Sequence, residues 1–178
     1  MAVLPGTPGL HRARTLLLAL AAVLLLAGCY PELDWKEMRS AEGGFKVLMP
    51  ARWEIATVNG ADGITRVRVM AQTPNALFGV GYADYPDEAA SHIAATRDGL
   101  LPNARGRLTE DRVINGPTGT QARAVGIAGI AADGSPREIH ARLIAREKRL
   151  FQLAVVSKPG TLSSADLDTF FLSFELVN

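Results

Sequence analysis

Hydrophobic and polar positions along this chain fall mostly into the two-residue rhythm of β-strands, broken by two stretches of helical spacing. Trp35 to Ser40 and Phe45 to Met49 flank the turn-like cluster Glu42-Gly43-Gly44, which predicts a first hairpin, with Pro50 ending its second strand. Ile64 to Gln72 alternates: Thr65, Val67, Val69 and Ala71 share one face, Arg66, Arg68 and Met70 the other. Leu77 to Tyr82 reads as a further strand. Pro86-Asp87-Glu88 opens a helix in which Asp87 is the expected N-cap, running to about Leu101 and stopped by Pro102.

The second half is more regular. Asp133-Gly134 is the dipeptide favoured by a two-residue type I′ hairpin, whose central residues both need positive φ. Centring the turn there pairs Ala128 with Ile139, Gly126 with Ala141 and Ala124 with Leu143, a face made almost wholly of small or aliphatic side chains. Leu150 to Ser157 is apolar on both sides, so the strand should be covered on both. Leu167, Phe170, Phe171 and Phe174 then recur at helical spacing over Ser164 to Phe174. Ser163 and Asp166 supply a capping box for that helix, with Asp in place of the usual Glu.

Ahead of all this lies an unbroken apolar stretch, Leu16 to Ala27, preceded by His11, Arg12 and Arg14 and followed by the single cysteine, Cys29. Basic start, short apolar core and small residues make the layout of a secretory signal peptide. As a helix the stretch would be about 18 Å long, well short of the roughly 30 Å hydrocarbon core of a bilayer. The ending Leu26-Ala27-Gly28-Cys29 resembles the bacterial lipoprotein lipobox. The resemblance implies that the Cys29 thiol is alkylated by diacylglycerol and the chain cut just before it. An amide-linked third acyl chain would exceed the two-signal threshold for stable anchoring. Tyr30 follows where an aspartate would favour inner-membrane retention, so the outer membrane, facing the periplasm, is the expected location.

The expected organisation is a signal peptide over residues 1–28, an acylated N-terminus and short tether over 29–34, and one α+β domain over 35–178. Without Arg12 and Arg14 the basic count falls from 19 to 17 against 18 acidic residues, a net charge of −1. That balance, without aromatic-basic interleaving, argues against nucleic-acid binding. With one cysteine the chain can form no internal disulfide.

Gly44-Phe45 leading to Met49-Pro50, then Trp53, and the near-terminal Asp168-Thr169-Phe170-Phe171-Leu172-Ser173-Phe174 resemble the PsbP-like superfamily. That α/β/α sandwich is shared by a photosystem II extrinsic subunit, a Ran-binding import factor and many bacterial lipoproteins. The resemblance spans about residues 35 to 176 and implies a mainly antiparallel β-sheet with helices on its faces. It also implies a binding or assembly module, since members of that superfamily mostly lack catalytic residues.

Candidate chemistry is sparse. His92 and His140 lack convergent partners at ligand spacing, and no nucleophile elbow or phosphate loop is present. Gly79-Val80-Gly81 and Gly126-Ile127-Ala128-Gly129 lie inside strands, where they would let a helix sit close. Arg66, Arg68 and Arg142, with Arg123 and Arg146, could form an anion-binding face, or stand as solvated positions paired to Glu110 or Glu138. No catalytic residue, metal or cofactor is expected. The partners expected are the lipid bilayer, through acylated Cys29, and an envelope protein; the alternative is a periplasmic small-anion or ligand-binding lipoprotein.

Overall fold

A computed structural model describes residues 33–177; the segment expected to be a signal peptide and Cys29 lie outside the described residues. Among the described residues ten strands and two α-helices follow in order. They are β1 (Lys36–Ser40), β2 (Phe45–Met49), β3 (Trp53–Asn59), β4 (Thr65–Gln72) and β5 (Ala76–Asp84), then a 3-10 turn (Ala89–His92) leading into α1 (Ile93–Ala104). After these come β6 (Arg107–Ile114), β7 (Gln121–Ile130), β8 (Pro136–Arg146), β9 (Arg149–Ser157), α2 (Ser164–Leu172) and β10 (Glu175–Leu176).

Seven strands form one sheet in the order β3-β4-β5-β9-β8-β7-β6, and every neighbouring pair is antiparallel. A small sheet, β1-β2-β10, and helix α2 cover one face. Alternation does the sorting: Val69 and Ala71 of β4, Phe78 and Val80 of β5, and Leu153 and Val155 of β9 all point to that side. Phe45, Phe170 and Phe174 press down on them. Helix α1 covers the opposite face, packing Ile93, Leu100 and Leu101 on Val125, Ile127, Ala141 and Leu143 of β7 and β8. The result is a mainly antiparallel α+β sandwich with helices on both faces of the large sheet.

The first hairpin forms as expected, with Ser40 opposite Phe45 and Gly44 at φ 65° in the turn. The capping box of α2 is complete: Ser163 Oγ accepts from the Asp166 N–H, and the Asp166 carboxylate accepts from the Ser163 N–H. Three expectations change. Asp87 does not cap the first helix; it pairs with His92, and the helix begins after a 3-10 turn whose N-cap, Glu88, makes no side-chain cap bond. Pro102 sits inside the last turn, and the helix stops at Arg105 in the left-handed region.

The β7–β8 hairpin is shifted by one residue: Ala128 faces Glu138, Gly126 faces His140 and Ala124 faces Arg142. Its loop holds three residues rather than two. The Ala131 N–H donates to the Ser135 carbonyl at 2.9 Å, and Gly134 alone takes positive φ, 82°. A one-residue slip turns every side chain of β8 over relative to β7. Ala141 and Leu143 therefore pack under α1, and Arg142 joins the face of Ala124.

The third change concerns β9. Phe151, Leu153 and Val155 are buried on the α2 side, and Leu150 is buried on the opposite side, beneath the 3-10 turn. Gln152, Ala154 and Val156, on the α1 side, stay only half-buried. Helix α1 lies over β7 and β8 and leaves the β4–β5 half of that face open.

Candidate functional site

The structure does not bring the three arginines together. Arg66 and Arg68 sit on the α1 face of β4, opposite Ala83 and Gly81 of β5. Arg142 stands opposite Leu153, whose side chain belongs to the core beneath α2, so it lies on the other face of the sheet. Two separate concavities result.

The first is a cleft of about 470 Å³ beside α2, between the Ile114–Thr118 loop and β10. Arg142 and Arg146 line it from β8, and Phe171 and Leu172 from α2. Arg142 donates to the Phe171 carbonyl at 3.1 Å, and its guanidinium lies 4.8 Å from the Phe171 ring centre. It thus ties off a carbonyl in the last turn of α2, where cations are favoured. Burial pulls the Arg142 pKa below its ordinary value, partly countered by Asp168. Neither Arg142 nor Arg146 forms an ion pair among the described residues. Leu172 is 69% exposed at the rim.

The second concavity lies on the opposite face, along β5. Its polar end, of about 320 Å³, is lined by Arg66, Arg68, Tyr85, His92, Thr96 and Gln152. Arg66 is held by Asp62 at 2.5 Å, and this contact holds the Asp62 carboxyl well below the usual carboxylate range. His92 Nε2 lies 2.6 Å from Asp87, and its ring stacks on Tyr85 with centroids 3.9 Å apart. That hydrogen bond lowers the Asp87 pKa. Arg68 is exposed and has no ion pair among the described residues. The remaining candidates are placed otherwise. His140 lies mid-strand, 3.9 Å from Glu138. Arg123 pairs with Asp111, which also accepts from Arg97 of α1 at 2.8 Å, so this cluster pins the helix to the sheet.

Sequence reading did not separate the two faces, because the register of β8 decides on which side Arg142 emerges. It also missed β3 and β6, the two edge strands. Several of their apolar residues are exposed (Ile55 62%, Val113 76%) and only a few, such as Trp53, Leu108 and Ile114, are half-buried against the core, so the alternation that marks a strand is weak in both.

Seven antiparallel strands, a small second sheet and two helices on opposite faces define the PsbP-like α+β class. By backbone shape the chain is similar to cyanobacterial PsbP (CyanoP) from Synechocystis sp. PCC 6803, with a TM-score of 0.58 and 14% identity over 84% of this chain and 96% of that one. A Bacteroides thetaiotaomicron VPI-5482 protein matches at a TM-score of 0.49 and 10% identity over 80% of this chain; this chain spans about half, 48%, of that one. The protein of unknown function PA94 from Pseudomonas aeruginosa matches at 0.37 and 16% identity, over 71% and 84% of the two chains. No protein-family model and no curated protein sequence matches. At such identities the likeness to CyanoP shows the fold alone.

Proposed function

We propose that this chain is a lipid-anchored protein of the bacterial envelope whose PsbP-like domain binds a protein partner without catalysis. The observation that carries this reading is Leu26-Ala27-Gly28-Cys29, the sole thiol placed directly after an apolar core too short to span a bilayer. Acylation at Cys29 would hold the domain at the periplasmic side of the outer membrane. The cleft beside α2 supports the binding role: an exposed apolar rim at Leu172 next to two arginines that form no ion pair among the described residues suits an acidic, partly apolar segment of another envelope protein.

Cys29→Ser tests the anchor. The variant is expected to escape lipoprotein-type processing and to run as an uncleaved or differently cleaved precursor; normal maturation with full membrane association would refute the reading. A photo-crosslinking residue at Leu172 tests the partner. It should yield a discrete adduct in intact cells that the same probe at Ile55, equally exposed on β3, does not.

A second reading is favoured by Arg142, a half-buried cation whose contacts are a carbonyl and a ring, with Asp168 acting on it only from beyond ion-pair distance. On that reading the cleft takes a small anion. Carboxylates or phosphates should then raise the melting temperature of the parent and not of Arg142→Met.

A further inference from the structure

The open half of the α1 face has a shape and a polarity gradient of its own. Cross-strand register sets Arg68 of β4, Gly81 of β5 and Gln152 of β9 in one row. The next row is Met70, Gly79 and Ala154, and the one after it Gln72, Leu77 and Val156. Side chains of β4 and β9 therefore stand on either side of a floor that has none at Gly79 and Gly81. The trough follows β5 from Leu77 to Ala83, about 20 Å at the rise of an extended strand. Its apolar end, of about 240 Å³, shares Arg68, Gly81 and Gln152 with the polar end described above.

Two observations show that none of the described residues fills this space. Leu77 is 38% exposed, and Val156, on a strand apolar on both sides, is only half-buried. The glycines are not needed for close packing there either: a Cβ at Gly79 would meet its nearest neighbours at 3.5 Å and 3.7 Å, ordinary contact distances. Gly129 differs, because the end of α1 lies directly against it.

Charge distinguishes the two ends. Arg66 is neutralised by Asp62, and His92 is paired with Asp87. Arg68, at the junction of the polar and apolar halves, is left with its guanidinium free for a carboxylate. We infer that the trough binds a single-chain fatty acid, its carboxylate on Arg68 and its tail along Gly79 toward Leu77 and Val156. A membrane-tethered domain would meet such molecules, but the inference rests on the trough and stands whether or not Cys29 is acylated.

The test uses the full chain in zwitterionic lipid nanodiscs, with a long-chain fatty acid carrying a photoactivatable diazirine near the end of its tail. Labelled residues are mapped by peptide mass spectrometry, and the methyl ester of the same probe serves as the uncharged control. Labelling is expected on β4, β5 and β9 around Met70, Leu77 and Val156. The ester and the Arg68→Gln variant should each label about tenfold less, the effect of losing one charge-assisted contact. Gly79→Leu, which fills the floor, should abolish labelling while keeping the parent's melting temperature. Arg68→Gln, on an exposed side chain, supplies a second variant whose folding is not in question. Label placed elsewhere, equal labelling by acid and ester, or labelling indifferent to Arg68→Gln overturns the inference.

Discussion

Phe170 has no exposed surface, and its ring meets Phe78 edge-on at 5.3 Å and Phe171 at 5.2 Å. Removing that ring leaves a cavity that rigid sheet neighbours cannot close, so Phe170→Ala should cost about 3 to 5 kcal/mol in denaturant unfolding. The loss is a large share of a typical total of about 5 to 15 kcal/mol. A loss under about 1 kcal/mol would mean that α2 is not docked as described. Two glycines make a paired test. At Gly129 an added Cβ would run into the Ala104 carbonyl at the end of α1, a backbone group that cannot swing away. Gly129→Ala should therefore destabilise by about 1 to 3 kcal/mol. Gly79→Ala, with ordinary contacts waiting for it, should be neutral or slightly stabilising because strand glycines lose more entropy on folding. Equal melting temperatures for the two variants would contradict the contrast between a packed and an open sheet face.

At the scale of elements, α2 was legible because its signals are local. The spacing of Leu167, Phe170 and Phe171 and the Ser163–Asp166 capping box both lie within a few residues and form as the pattern requires, although the helix ends at Leu172, two residues short of the expected Phe174, which reaches the same core from beyond it. Ser163→Ala should lower stability by about 1 kcal/mol, measured by urea unfolding, since it removes one capping acceptor. A change within error would show that the Asp166 side chain alone satisfies that helix end. Helix α1 was harder to place. Its polar start offers Asp87 as a cap, but Asp87 is drawn to His92, whose ring is held by Tyr85. The β7–β8 hairpin shows the same limit: Asp133-Gly134 marked the turn, while loop length, set by how Ala131 and Ser135 bond across it, decided the register.

Across the whole molecule, ion pairs tie the layers together. Arg149 of β9 grips Asp84 of β5 through two contacts, at 2.6 Å and 2.5 Å, and donates to the Glu42 carbonyl at 2.8 Å, joining the large sheet to the first hairpin's turn. Asp111 does the same for α1, the β6 strand and β7. Arg149 depresses the Asp84 pKa, and Arg123 with Arg97 depresses that of Asp111. A carboxylate whose folded pKa is lowered adds stability that is present above its unfolded pKa and lost as pH falls toward the folded value. Melting temperature should thus be flat above about pH 5 and fall below about pH 4. Asp84→Asn and Asp111→Asn together should flatten that acid slope; a slope unchanged in the double variant would show that these pairs are too screened to matter.

The sequence by itself determined what depends on neighbours in the chain. It set the alternation that splits β4 into an arginine face and a valine face, the first hairpin, the α2 stripe with its cap, and the α+β class. Those features are local because a strand repeats every two residues and a helix every 3.6. What only the tertiary structure decided depends on how distant segments meet. Register placed Arg142 beneath α2 and Arg66 with Arg68 on the other side, and the position of α1 over β7 and β8 left β9 half-open along Ala154 and Val156. An apolar strand asks for cover on both faces, but which residues supply it, and where the cover stops, is a matter of layer geometry.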